Sequence, residues 1–434
     1  MKYYTWSEKK HRQLELRKLG QAILENKETL YKLENEEVGL TRDMYKTAEG
    51  MMQSLETVSG RELSLLEGRV PLGEVAVVLP YNFSLGAFLV SGTVAYLAGN
   101  RVHVKFSSKS RKTSAFLGSL ISDALSDFSY SYDPERKFIT EHLKNPDTKA
   151  ILVFGHDSWS ESYTNLVRET GTKWIFEGPG KDPFIVFSNG DIKKSAQMAV
   201  YDFVTNSGQA CASPERCYVH EDIDDEFLRI LMKEVGKIYS DEVNEESEFL
   251  GFLGSETVAH RLKKQLKEAV DMGARTEIGG EVRENQINGK KKYFAQATVL
   301  TNVNHDMEIM REESFAPVIP IQTFSTEEEA LQLANDSKYG LTATVFGGSS
   351  GFLRSIRRTH AIIFENDTLV NSMKRVTLAT QWGGFKNSGW ILDWDGLHFN
   401  RKEGPRLLLR EFTEPVRKFC SQCRRLYHHG YAEI

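Results

Sequence analysis

Apolar residues in the N-terminal stretch fall at Leu16, Leu19, Ile23, Leu30 and Leu33, separated by Lys, Glu and Arg. That spacing lays one apolar stripe along a helix, so the chain is expected to start helical, and the charged helical pattern runs on to about Ser59. The texture then changes. Residues 74–79 (EVAVVL) are an apolar, β-branched run between Gly73 and Pro80, which reads as a buried strand. Residues 85–98 read as a helix closed by Gly99-Asn100, and 101–106 as a second strand.

The alternation continues. Strands are expected at 150–154, 173–176, 183–187 and 217–220, and helices at 158–169, 191–206 (with Asp191 as N-cap) and 223–239. Residues 273–280 and 286–292 read as loops and turns; strands at 298–300 and 317–324 and a helix at 327–335 follow. Strand, helix, strand in series predicts an α/β fold with parallel sheets and crossover helices. A chain of 434 residues is long enough for two or three such units.

Composition narrows the function. Hydrophobic residues are 40% and charged residues 26%, a globular balance, and the net charge of −5 gives no electrostatic footprint for nucleic acid or an anionic membrane. The most apolar stretch, 85–99, is shorter than the roughly 20 residues a bilayer requires. Residues 1–10 hold no apolar signal core, and four cysteines in this length are no disulfide framework, so a cytoplasmic home is expected. The tail 417–434 carries Cys420, Cys423, His428 and His429; one C-x-x-C with adjacent histidines lacks zinc-ligand spacing, so no metal is expected.

Two segments suggest chemistry. Cys211 lies in Asn206-Ser207-Gly208-Gln209-Ala210-Cys211-Ala212-Ser213, where small neighbours leave room for a substrate to reach sulfur. A buried structural thiol is the alternative, and Cys217, inside a strand, fits that alternative better. Glu177 follows an apolar strand and precedes Gly178-Pro179-Gly180, a position facing the crevice at a sheet's carboxyl end. Neither G-x-G-x-x-G after a strand nor G-x-x-x-x-G-K-[ST] occurs.

Together these segments resemble the aldehyde dehydrogenase superfamily, of which the chain looks like a short, divergent member. Glu177 and Cys211, 34 positions apart (211 − 177), match its Glu-x-Gly-Gly-Lys-x-Pro and Gly-Gln-x-Cys motifs. Pro80-Tyr81-Asn82-Phe83, Gly99-Asn100 with Lys105, Glu312-Glu313-Ser314-Phe315-Ala316-Pro317-Val318 and Gly383-Gly384-Phe385-Lys386-Asn387-Ser388-Gly389 resemble four more, in the family's order. The resemblance covers about residues 10–415.

It implies two Rossmann-like open α/β domains with a small oligomerisation hairpin and the site between the domains. The cofactor-binding domain would be 1–57 and 72–178, the catalytic domain 179–400, and the oligomerisation segment 58–71 and 401–416. It implies oxidation of an aldehyde to a carboxylic acid with NAD or NADP. Cys211 would be the nucleophile, Asn82 with the Cys211 N–H the oxyanion donors, and Glu177 the base. Lys105 would reach the adenosine ribose or its phosphate, Gly155 would begin the phosphate turn, and Glu313 and Phe315 would meet the nicotinamide ribose. Ser108 stands where many NAD-using members carry glutamate, so NADP is expected to serve at least as well as NAD. The 406–412 stretch (RLLLREF) would pair across subunits in a homodimer or homotetramer. One departure stands out: the phosphate turn reads Gly155-His156-Asp157-Ser158-Trp159-Ser160, keeping only its first glycine and adding an acid. An acyl-thioester (CoA or carrier-protein) reductase and a non-catalytic relative on the same scaffold are the alternative readings.

Overall fold

The computed structural model describes residues 4–238 and 249–416. Two seven-stranded sheets organise it. The first runs, in spatial order, Phe399–Lys402, Gly389–Trp394, Lys173–Glu177, Thr148–Phe154, Glu74–Val78, Arg101–Lys105, Phe128–Ser131. Its last five strands are parallel, and the Gly389–Lys402 hairpin adds antiparallel to Lys173–Glu177. The second runs Ile362–Glu365, Thr342–Phe346, Asp182–Val186, Pro214–His220, Val318–Phe324, Thr298–Thr301, all parallel, and ends on antiparallel Arg275–Ile278. Short apolar runs buried on both faces and linked by helices give this doubly covered arrangement.

The N-terminal stripe is a packing face. Leu16, Leu19, Ile23 and Leu30, on helices Trp6–Glu25 and Lys27–Val38, have no exposed surface. In the second helix the stripe turns through Leu30, Glu34 and Val38, leaving Leu33 half-buried. Glu34 is fully buried and accepts the Leu85 N–H at 3.3 Å, holding the start of helix Ser84–Val90. Burial raises its pKa to about 8.

Several expectations are corrected. The helix expected over 85–98 is two, Ser84–Val90 and Gly92–Leu97, broken at Ser91. The Ser91 and Thr93 hydroxyls bond the carbonyls of Ala87 and Leu89, a back-bonding that bends helices. The 158–169 helix is likewise split, into Asp157–Glu161 and Thr164–Thr170. Residues 286–292 are the tip of a hairpin, Val282–Ile287 with Lys290–Ala295, turned by Asn288-Gly289 at φ 51° and 74°. Asn-Gly is the pair such a two-residue turn demands. Arg275–Ile278, expected as a loop, is an edge strand.

The oligomerisation segments also differ. Residues 58–71 hold no hairpin: Ser59 and Glu62 form a capping box that starts helix Gly60–Ser64. In 406–412, only Arg406–Leu407 is strand, paired within the chain to Gln381–Trp382, and Leu408–Glu411 is helical. The reason is burial: Leu408, Leu409 and Phe412 all enter one core, whereas a strand would turn Leu408 and Leu409 to opposite faces. Thr413–Pro415 then pairs antiparallel with Arg69–Pro71. The Gly389–Lys402 hairpin, expected with the catalytic unit, joins the first sheet instead. Cys420 and Cys423 lie outside the described residues. Among the described residues no helix is long and apolar enough to cross a membrane.

Candidate active site

A cavity of about 420 Å³ opens at the carboxyl ends of the first sheet's strands, between the two sheets. Asn82, Lys105, Gly155, Glu177, Cys211, Glu313 and Phe315 all line it. Ser108 does not. It is exposed at the start of a 3-10 turn, and Ser107 faces the cavity in its place.

Cys211 is held by a strained loop. Asn206, Ser207 and Gly208 have φ of 56°, 54° and 68° in succession, left-handed conformations that favour Gly and tolerate Asn. Side chains on all sides fix them. Asn206 Oδ1 accepts the Thr41 N–H (3.2 Å), and its Nδ2 donates to the Gln209 carbonyl (3.1 Å). Ser207 Oγ donates to the Gly251 carbonyl (2.9 Å) and accepts the Gly251 N–H (2.8 Å). Gln209 Nε2 donates to the Phe252 carbonyl, and its Oε1 accepts the Gly254 N–H. Gly208 is obligatory on a second count, because a Cβ there would lie 2.3 Å from the Ala316 carbonyl oxygen. The Asn-Ser-Gly-Gln run is thus the mount for the sulfur.

Cys211 Sγ lies 3.4 Å from Glu177 Oε1, with the thiol as donor. Burial raises the Glu177 pKa to about 7, the thiol's hydrogen bond opposing the shift. Burial, then the Glu177 carboxylate, push the Cys211 thiol well up, so the sulfur rests as a thiol. Asn82 Nδ2 donates to the Gln209 carbonyl at 3.0 Å, which turns its amide toward the loop bearing Cys211. Cys217 is fully buried in strand Pro214–His220, and burial raises its thiol too.

Glu177 is braced by the 383–389 segment. Gly389 pairs with Glu177, Gly178 N–H donates to the Ser388 carbonyl (2.9 Å), and Ser388 Oγ donates to the Pro179 carbonyl (2.7 Å). The proline therefore costs nothing here, since the contact uses its carbonyl. Asp157, the acid in the phosphate turn, is buried, and its Oδ2 accepts from Asn387 Nδ2 at 3.0 Å. It does not line the cavity, whereas Gly155 and His156 do.

Sequence reasoning missed two acids. Glu215 is buried and accepts four hydrogen bonds: Lys181 Nζ (2.7 Å), Ser314 N–H (2.8 Å), Ser314 Oγ–H (2.6 Å) and Phe315 N–H (2.7 Å). It therefore clamps the loop bearing Glu313 and Phe315, in which Phe315 is held at φ 56°. Removing the carboxylate leaves Lys181 buried and uncompensated, which costs about 3–5 kcal/mol. Glu215→Ala is expected to lower the urea midpoint sharply. Glu215→Leu combined with Lys181→Met should recover only the part of that loss due to the unpaired ammonium, because the Ser314 and Phe315 N–H groups still lack their acceptor. The second acid, Glu135, heads helix Glu135–Lys144 and lines the cavity with Lys105. Burial lowers the Lys105 pKa and raises that of Glu135, each partly offset by the other's charge.

The chain matches the model described as "Aldehyde dehydrogenase family" over residues 2–393. It belongs to the aldehyde dehydrogenase family. A 3,6-anhydro-alpha-L-galactose dehydrogenase of Streptomyces coelicolor is 31% identical over 361 residues, 82% of this chain and 70% of that one. An aldehyde dehydrogenase of Paenarthrobacter nicotinovorans is 29% identical over 329 residues, 74% of this chain and 69% of that one. Among solved structures, an NAD-dependent aldehyde dehydrogenase from Sinorhizobium meliloti superposes with TM-score 0.80 at 25% identity, covering 93% of this chain and 80% of that one. The family's two-sheet α/β architecture is the one described above. A nicotinamide cofactor fits the donor set: the buried Lys105 ammonium and the Glu313 carboxyl, whose loop Glu215 clamps and whose pKa burial raises to about 8, both line the cavity.

Proposed function

We propose a division of labour for the NAD(P)-dependent oxidation of an aldehyde to a carboxylic acid: Cys211 is the nucleophile, Glu177 its base and Asn82 an oxyanion donor. The observation that carries it is the 3.4 Å thiol–carboxylate contact in a cavity that Asn82, Glu313 and Lys105 also line. As sulfur attacks the carbonyl carbon, the thiol proton passes to Glu177, and the new oxyanion meets the side-chain N–H of Asn82 and the backbone N–H of Cys211. Glu313 and Phe315 would hold the nicotinamide ribose, and the bound cofactor would supply the hydride acceptor through which the thiohemiacetal becomes a thioester. Glu177, returned to carboxylate by losing its proton to solvent, takes a proton from water. The hydroxide adds to the thioester, the C–S bond breaks, and acid and thiol are released. A base in contact with the sulfur supports hydrolysis over transfer of the acyl group to a second thiol. The test is formation of reduced nicotinamide, followed by absorbance, across an aldehyde panel with NAD and with NADP; no signal with any pair would overturn the reading.

On cofactor choice, Glu135 outweighs Ser108. A carboxylate beside Lys105 accepts from a ribose hydroxyl and repels a 2′-phosphate, so NAD is preferred. Glu135→Gln should shift the ratio of NADP to NAD dissociation constants about tenfold toward NADP, measured by fluorescence quenching. Ser108→Glu, on an exposed turn, should leave the ratio unchanged.

A homodimer or homotetramer in the cytoplasm completes the reading. Free thiols at Cys211 and Cys217 suit a reducing compartment. The outer strand Ile362–Glu365 leaves the second sheet an edge for association, and light scattering at micromolar protein tests it.

A further inference from the structure

One part of the cavity's lining is wholly uncharged. The lining's ionisable members, Lys105, Glu135, His156, Arg261 and Glu313, together with Glu177, come from the strand ends of the first sheet, the helix after its edge strand, helix Glu256–Asp271 and the 313–315 loop. The members contributed by helices Arg42–Glu56 and Leu369–Met373, by the end of Ser84–Val90 and by the strand that follows are Met44, Met51, Val90, Leu369, Met373 and Trp382. None carries a charge, and Trp382 has the group's one polar hydrogen.

This apolar wall is contiguous and tied to the nucleophile. Gly50 packs so closely on the end of the Leu369–Met373 helix that a Cβ would lie 2.6 Å from the Lys374 carbonyl oxygen. Thr41, which precedes helix Arg42–Glu56, donates its N–H to Asn206 of the Cys211 loop. At the other helix, buried Asp202 accepts the N–H groups of Leu369 and Val370 at 3.3 and 3.4 Å. Ala210, next to the nucleophile, packs against the same hydrophobic cluster as the six side chains.

We infer that the substrate is a linear aliphatic aldehyde whose chain lies along this wall, its carbonyl at Cys211. The inference rests on the proposed role of Cys211. An ammonium or polyhydroxylated chain would lose its hydration there and find no charged partner in return. An alkyl chain gains with each methylene buried, and three thioethers can adjust to its length.

Two measurements test it. In the first, kcat/KM is compared for propanal, octanal, 4-aminobutanal and glyceraldehyde. Each buried methylene is worth up to about fourfold, so octanal should exceed propanal by at least about tenfold and both polar aldehydes by more. A smaller ratio, or a preference for either polar aldehyde, overturns the substrate class. Met51→Gln and Leu369→Gln should each lower the octanal-to-propanal ratio several-fold; an unchanged ratio in both overturns the placement of the chain. Leu369 is half-buried, so its variant remains informative where the Met51 variant folds poorly. The second measurement needs no nicotinamide. Octanoate should slow alkylation of Cys211 by iodoacetamide, and 4-aminobutyrate should not. Equal protection by both overturns the inference. Protection by octanoate alone with no turnover of any aldehyde, propanal included, would instead overturn the proposed reaction and leave the apolar site standing.

Discussion

Cys211→Ser abolishes aldehyde oxidation: kcat is expected to fall by at least about 10⁴-fold, because a hydroxyl is a far weaker acid than a thiol and Glu177 cannot draw its proton. The substitution changes one atom in a loop whose geometry is set by Asn206, Ser207, Gly208 and Gln209, so folding and cofactor binding persist. Stopped-flow absorbance would show no burst, and mass spectrometry would show iodoacetamide labelling lost at this residue. Cys217 gives the contrast. It is fully buried in a strand, so Cys217→Ser should leave kcat within about twofold. Full activity in Cys211→Ser would remove sulfur from the mechanism.

Glu177→Gln separates the two halves of the reaction. Glutamine can take a proton from neither the thiol nor water; acylation can still use thiolate that loses its proton to solvent, whereas deacylation has no such route, so both halves slow and acyl-enzyme accumulates. Pre-steady-state traces should show a burst of reduced nicotinamide followed by turnover about 10²–10⁴-fold slower than wild type. Loss of the burst as well would make thiol activation by Glu177 the limiting step. The pH profile follows from the Glu177 pKa of about 7. The carboxylate is the working form, so wild-type kcat falls as pH drops through about 7, and Glu177→Gln lacks that limb. Stability moves in the opposite sense. A carboxyl raised from 4.5 to about 7 by burial favours the fold while protonated and ceases to do so as pH rises through about 7. The variant should therefore melt above wild type at pH 8, with the gap closing toward pH 4.5.

The residues legible in the sequence are those whose chemistry or backbone allows few substitutes: Cys211, Glu177, Asn82 and the glycines that let chains approach. The alternation of strands and helices was legible because buried parallel strands are short, continuous apolar runs. Glu215 was not, since one acid inside a strand carries no pattern of its own. A signal was present nonetheless. Lys181 and Glu215 are 34 positions apart (215 − 181), the offset of Glu177 and Cys211. Both pairs lie at or just before the starts of the adjacent parallel strands Asp182–Val186 and Pro214–His220, so an equal offset brings each pair together. Glu135 is 30 positions from Lys105 (135 − 105), and only the packing of a helix after the edge strand joins them. Ser108 is exposed at the start of a 3-10 turn, while its neighbour Ser107 lines the cavity, a one-residue difference that no sequence pattern distinguishes. The 406–412 stretch failed because three apolar residues in a row fit a strand and a helical turn equally well until the neighbouring core selects between them.

The antiparallel seat of Gly389 against Glu177 has a consequence for the order in which the molecule comes into being. A ribosome that has delivered the first 380 residues has already supplied Cys211, Glu177, Asn82, Lys105 and Glu313, the residues proposed above for the chemistry. The strand Lys173–Glu177 would still have one bare flank, Gly178 and Pro179 would lack their Ser388 contacts, and Asp157 would lack Asn387. Nascent chains of that length thus hold Cys211 and Glu177 before the contacts that brace Glu177 exist. Those contacts wait for strand Gly389–Trp394, made more than two hundred residues after the strand it pairs with.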